Sequence, residues 1–181
     1  MSMTLILGGA RSGKSHLAQE LASKGGKRVL FVATGEPLDE EMSARIEAHQ
    51  KSRPRTWRTL EAPTDVARAL RKGMGDAEVV IVDCITLLAS NLMGEDSVDA
   101  ELLEKKVTAE LEALIKFAKG TKAHLIIVSN EVGLGLVPTS PSGRVYRDVL
   151  GTANQMLARH ADEVYFMVAG IAILLKKGLS E

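Results

Sequence analysis

Gly8-Gly9-Ala10-Arg11-Ser12-Gly13-Lys14-Ser15 matches G-x-x-x-x-G-K-[ST] at every fixed position. The residues around it complete the pattern. Thr4 to Leu7 form a short apolar run that suits a buried strand. From Ser15 to Ala22, Leu17, Ala18, Leu21 and Ala22 fall at helical spacing. Strand, glycine-rich loop and helix form the arrangement a phosphate-binding P-loop requires. Loop N–H groups and the uncapped N–H groups of the helix start point at one spot, and the helix dipole favours an anion there. Lys14 is then placed to reach the β- and γ-phosphates, and the Ser15 hydroxyl to ligate Mg²⁺. The stretch reads as a nucleoside triphosphate site.

Working outward, strand and helix signals alternate. Gly25-Gly26 close the first helix. Residues 28–34 (RVLFVAT) read as a second strand, 39–50 as a helix, and 64–72 as another closed by Gly73. Residues 78–84 (EVVIVDC) read as a third strand, followed by a short helix through Leu92. A long amphipathic helix is expected over 98–119, with Leu102, Val107, Leu111, Leu114 and Ile115 as its apolar positions. Residues 123–130 (AHLIIVSN) read as a fourth strand, 131–143 as a Gly/Pro-rich loop and 144–161 as a helix. The apolar residues 164–175 read as two core strands around Gly170. Apolar strands alternating with helices predict an α/β, three-layer fold. Its central sheet is mostly parallel, with helices on both faces. The stretch 35–63 is the least sheet-like and is expected to be a mobile helical excursion within a single domain.

Composition narrows the partners. The chain has 181 residues, of which 45% are hydrophobic and 25% charged. A chain of that length buries about 70% of its unfolded surface, enough for a sizeable core. Its 23 basic and 23 acidic side chains cancel, so no electrostatic footprint for nucleic acid is present. One cysteine, Cys84, excludes an internal disulfide framework and favours a cytoplasmic setting. The N-terminus has neither the basic region nor the apolar stretch of a signal peptide, and 12 apolar residues are too few for a membrane helix.

Beyond the loop, ligands in an open α/β sheet bind past the carboxyl ends of the strands. Those ends supply Thr34, Gly35 and Glu36, then Asp83, then Ser129, Asn130 and Glu131. Asp83 follows four apolar residues, the Walker B pattern, whose carboxylate holds Mg²⁺. A strand-ending aspartate that caps the next helix has the same appearance. His49 shares a helix face with Met42 and Ile46, near Arg45 and Lys51. A neutral imidazole can attack phosphorus, yet the same spacing fits a partly buried helical histidine. His16, His124 and His160 have no evident partner, and His16 is expected on a helix surface. Arg144 and Arg147 stand one turn apart at an expected helix start, where the dipole mildly disfavours cations; an anionic ligand, a partner subunit or a plain surface pair are the readings of that pair. Trp57 reads as a packing anchor. Glu61 could accept both N–H groups of a guanine edge.

In order along the chain stand GGARSGKS, VATGEPLDEEMSARIEAHQKSRP, WRTLE, VVIVDCIT, VSNEVGLGLVP and RVYRDVLGTANQMLARHADEVYFMVAG. Together they resemble the adenosylcobinamide kinase/adenosylcobinamide-phosphate guanylyltransferase family. The likeness runs from Thr4 to about Lys176. The ARIxxHxxxRP segment and the NEVGxGxVP loop are its specific parts. The resemblance implies a RecA-like P-loop fold and two reactions. A triphosphate phosphorylates adenosylcobinamide. GTP then passes GMP through an enzyme histidine to the phosphorylated product, giving adenosylcobinamide-GDP. It places the nucleophile on His49. It places nucleotide contacts on Gly8 to Ser15, on Thr34, Gly35 and Glu36, on Gln50, Lys51, Ser52 and Arg53, and on Glu61 and Asp83. Lys14 is the catalytic cation, Ser15 and Asp83 the Mg²⁺ ligands, and GTP and ATP the triphosphates. It also implies a homotrimer with the corrinoid near subunit contacts. Some relatives carry a second histidine just before the nucleophile, where this chain has Ala48. The alternatives are a simple P-loop kinase without a covalent intermediate and a nucleotide-operated switch or motor. No N-K-x-D guanine motif supports a GTPase switch.

Overall fold

A computed structural model of the protein describes residues 2–37, 40–51, 53–94 and 99–178, with the side chains of residues 41, 42, 45, 48, 49 and 51 outside the description. Its elements run β1 Met3–Gly8, α1 Lys14–Gly25, β2 Val29–Ala33, α2 Glu40–Lys51, β3 Arg58–Glu61, α3 Val66–Gly73 and β4 Val79–Asp83. They continue with α4 Ile85–Met93, α5 Ala100–Gly120, β5 His124–Val128, α6 Pro141–His160, β6 Glu163–Val168 and β7 Ile171–Lys177. Among the described residues seven strands form one sheet, in the order β3-β2-β4-β5-β1-β6-β7. Every pairing is parallel except β6 with β7.

The central strands are almost wholly apolar because both sheet faces are covered, with Thr4, Asp83 and His124 as the polar exceptions. Alternation sorts them into two layers. Leu5 and Leu7, Leu30 and Val32, Val80 and Val82, and Leu125 and Ile127 face the layer of α3, α4, α5 and α6. Ile6, Phe31, Ile81 and Ile126 face α1, where Ala18 and Ala22 allow a close approach and Trp57 packs at the margin. Trp57 is thus the packing anchor expected.

Four sequence expectations need correction. Residues 58–61, placed in the least sheet-like stretch, form the edge strand β3 beside β2. Only Leu60 of its four residues is even half-buried, so no apolar alternation announced it. β7 is not a core strand. All seven of its residues are exposed, with Ile171 67% and Leu175 61% accessible. In α5 the buried position is Leu103, 3% exposed, and not Leu102, 49% exposed. Finally α6 begins at Pro141 and not Arg144. Ser140 caps it by accepting from the Gly143 N–H at 3.1 Å, with proline at the first turn. Arg144 therefore sits inside the helix, and its guanidinium donates to the carbonyls of Pro138 (3.0 Å) and Thr139 (2.8 Å). Those carbonyls are its partners among the described residues. Arg147 bonds Asp148 at 3.0 Å.

The register lines up the strand ends that matter. Ala33 is level with Asp83 and Glu61, Asp83 with Val128, and Ile6 with Val128. At the far side, the two-residue turn Ala169-Gly170 joins β6 to β7. Both residues have positive φ, 51° and 80°, the twist a tight hairpin needs. The Gly170 N–H donates to the Ser12 carbonyl at 3.1 Å, so this turn leans on the phosphate loop. None of the described helices is long and apolar enough to cross a membrane.

Candidate active site

The loop from Gly8 to Gly13 is shaped by contacts that exclude side chains. A Cβ on Gly8 would lie 2.6 Å from the Met167 carbonyl oxygen and 2.7 Å from Ser12 Oγ. Gly13 has φ 99° and starts α1 with no side-chain cap. The first N–H groups of α1 are left for an external acceptor. Arg11 forms the exposed loop tip, with φ 57°. Lys14, only 8% exposed, donates to the Gly9 carbonyl at 2.6 Å. Burial pulls its ammonium pKa below the ordinary lysine value, and the charges of Cys84 and Asp83 oppose that pull. A poorly solvated cation held over the loop is poised to trade one carbonyl for a more highly charged phosphate.

A cavity of about 610 Å³ opens in front of this loop. Its floor is Ala10 to His16 and its far wall Asp83, Cys84 and Asn130. Phe31, Ile46 and Leu87 give it apolar sides. Asp83 Oδ2 is buried and, among the described residues, without a hydrogen-bond partner. Such an orphan carboxylate oxygen is costly unless a cation meets it. The Cys84 thiol is pushed up to about 11, first by burial and then by Asp83. Arg53 stacks on the Phe31 ring, its Cζ 3.4 Å from the centroid. Its Nε is another buried atom without a partner among the described residues. Burial lowers its pKa, and Asp83 counteracts this.

The predicted residues therefore divide. Ala10 to Ser15, Gly35, Arg53 and Asp83 line the cavity together. Gly8 and Gly9 support the loop from below. Thr34 is fully buried, and its Oγ1 donates to the Cys84 carbonyl and accepts from the Cys84 N–H, each at 2.7 Å. Glu36, Gln50 and Glu61 do not line the cavity, and Gln50 and Glu61 are exposed. The side chains of His49 and Lys51 and the whole of Ser52 lie outside the described residues. His16 is surface-exposed as expected, but it pairs with Glu20 at 3.4 Å and borders the cavity. His124 also has a partner, Thr4 Oγ1 at 2.9 Å from Nε2.

Sequence reading missed the apolar walls. Phe31, Ile46 and Leu87 look like core positions by periodicity, and nothing in one sequence marks a core face that ends at a cavity. Thr86 was also missed. It stands three residues past Asp83, and that short spacing past the strand end was the available signal.

A P-loop, an orphan carboxylate across from it and a helix reaching the same cavity fit a phosphotransferase of some kind. Residues 4–175 match the family described as cobinamide kinase / cobinamide phosphate guanyltransferase. The chain belongs to that family. Relatives agree. The bifunctional adenosylcobalamin biosynthesis protein CobU of Escherichia coli (strain K12) is 39% identical over 96% of this chain and 99% of its own length. The bifunctional adenosylcobalamin biosynthesis protein CobP of Pseudomonas aeruginosa is 41% identical over 95% of this chain and 96% of its own length. Among solved structures, the RadB recombinase superposes with a TM-score of 0.54 at 14% identity, covering 99% of this chain and 83% of that one. That likeness speaks to the fold alone and supports the RecA-like P-loop architecture. The description of that family carries two activities, a kinase and a guanyltransferase.

Proposed function

We propose that this protein phosphorylates adenosylcobinamide and then guanylylates the product, both at the cavity over the P-loop. The observation that carries the reading is convergence. Lys14, Arg53 and Asp83 meet in one cavity whose remaining side is given by Ile46 of α2, one helical turn before His49. In the kinase step the substrate hydroxyl oxygen attacks the terminal phosphorus, and the nucleoside diphosphate leaves. Lys14 and the N–H groups of α1 stabilise the charge on the transferring group. In the second step an imidazole nitrogen of His49 attacks the α-phosphorus of GTP, releasing pyrophosphate. The phosphorylated substrate then takes the guanylyl group and frees the histidine. ATP and GTP are the triphosphates, and both use this one site.

Mg²⁺ fits the residues present. Among the described residues no group of three or more His, Cys, Asp or Glu side chains forms a metal cage. Mg²⁺ in phosphoryl-transfer sites takes one or two protein oxygens and completes its shell from phosphates and water. The orphan oxygen of Asp83 and the Ser15 hydroxyl on the cavity floor supply that number. When bound, the ion neutralises phosphate charge.

The protein acts in the cytoplasm, in keeping with its single cysteine. It acts as a homotrimer, and the support for assembly is β7, an exposed edge strand with apolar residues on it, an arrangement that invites pairing with another chain. The deciding experiment is intact-protein mass spectrometry after GTP treatment, on wild type and His49→Ala. Wild type is expected to gain one GMP, in an adduct that acid removes and base leaves alone. His49→Ala is expected to gain none while still phosphorylating adenosylcobinamide. A GMP increment on His49→Ala rules out that nucleophile.

A further inference from the structure

We propose that Asn130 is a catalytic residue of the phosphorylation step, bridging the attacking alcohol and the terminal phosphoryl group. This rests on the function proposed above and adds to it a residue that the family's nucleotide contacts do not include.

Asn130 stands two residues past the end of β5, and β5 lies between the strand of Asp83 and the strand of the P-loop. Its neighbours are locked to β1. The Ser129 N–H donates to the Ile6 carbonyl and the Glu131 N–H to the Gly8 carbonyl, both at 3.0 Å. Its own main chain is held from the other side. The Asn130 N–H donates to Thr86 Oγ1 at 2.8 Å, and its carbonyl accepts from Asn154 Nδ2 at 3.0 Å. Thr86 is fixed in turn, since the Tyr146 hydroxyl donates to its carbonyl at 2.8 Å. Every main-chain polar group of Asn130 is thus bound, from two helices behind it. The side chain lines the cavity, and its amide has no hydrogen-bond partner among the described residues. An anchored backbone with an uncommitted side chain is how a reading group is held in place.

The chemistry selects the role. The charged groups lining the cavity include cations (Arg11, Lys14, Arg53) and an anion (Asp83). Asn130 is a neutral amide, which both donates and accepts. A terminal phosphoryl oxygen needs a donor, supplied by Nδ2. The substrate alcohol needs an acceptor that fixes the direction of its lone pair, supplied by Oδ1. As the alcohol oxygen bonds to phosphorus, the bond to the β-phosphate oxygen breaks and the diphosphate leaves with that electron pair. The alcohol proton goes to a phosphoryl oxygen, so Asn130 takes no proton. The guanylyl step has no alcohol nucleophile and breaks the bond at the α-phosphorus, so it does not need this bridge.

The test compares wild type, Asn130→Ala and the isosteric Asn130→Asp, with thermal melting as the check on folding. Two assays are read: steady-state phosphorylation of adenosylcobinamide, and the GMP mass increment from GTP alone. Asn130→Ala is expected to lower kcat for phosphorylation by roughly a hundredfold, with KM for the triphosphate changed by less than about threefold, and to keep the GMP increment. Asn130→Asp loses the donor and sets a carboxylate against phosphate, so it is expected to fall at least as far although its shape is retained. Phosphorylation by Asn130→Asp at the wild-type rate, or equal loss of both reactions in a folded Asn130→Ala, overturns the assignment. If wild type performs neither reaction, the parent function fails and this inference with it. If wild type performs both and Asn130→Ala matches it, this inference alone fails.

Discussion

On the proposed function both half-reactions would depend on Lys14, because both move a phosphorus centre bearing negative charge past one cation. Lys14→Ala is expected to lower both rates by a hundred- to thousandfold, about 3–4 kcal/mol of transition-state stabilisation, while circular dichroism and melting stay near wild type. Normal turnover by a folded Lys14→Ala protein removes the P-loop from the mechanism. On the same proposal Asp83 would work through the metal. Asp83→Asn should raise the Mg²⁺ concentration needed for half-maximal rate far more than it weakens nucleotide binding measured in EDTA. An unchanged Mg²⁺ titration returns Asp83 to a strand-end role. Cys84 offers a pH test with a definite sign. Its thiol titrates near 11, and only the thiolate is nucleophilic. Iodoacetamide should therefore label the native protein slowly at pH 7.5 and progressively faster as pH rises toward that value. Bound nucleotide should slow it further, because Cys84 lines the same cavity. Fast labelling at neutral pH in the native state contradicts the burial described for this thiol.

At the scale of elements, what could be read in advance depended on how strongly each segment's burial was written into its pattern. β1, β2, β4 and β5 were legible because strands covered on both faces leave uninterrupted apolar runs, and Asp83 and the P-loop were legible because they end such runs. β3 was not, since an edge strand of Arg58, Thr59, Leu60 and Glu61 has almost nothing to bury. β7 misled in the opposite direction, its apolar residues matching a core strand while the sheet leaves it at an edge. The start of α6 was hidden by its own signals, Ser140 and Pro141, which read equally as loop. The cavity's polar residues followed from strand ends, but its apolar walls did not, because Phe31 and Leu87 are chemically identical to core residues. The assignment in α5 is the easiest to check. Leu103→Ala is expected to destabilise by about 2–5 kcal/mol in urea unfolding, and Leu102→Ala by less than about 1 kcal/mol. The reverse order would put the wrong face of α5 against the sheet.

At the scale of the whole molecule, β7 carries the prediction. A strand with exposed Ile171, Ile173 and Leu175 at an open edge is a surface that assembly would cover. Sedimentation equilibrium is expected to give a trimer for wild type and a monomer for Ile171→Lys/Ile173→Lys, with the melting transition of the subunit largely kept. A trimer that survives both lysines moves the interface elsewhere. The strand order also has a consequence in time. β1 is made well before its sheet partners β5 and β6. Thr4 meets His124 across 120 positions of sequence and Met3 meets Asp162 across 159. The phosphate loop hangs from β1, so it cannot be fully assembled until β5 and β6 have been made. A nascent chain halted before β5 should therefore expose an unpaired apolar strand, prone to capture by chaperones. Nucleotide can therefore act as a folding ligand only after β6 has been made.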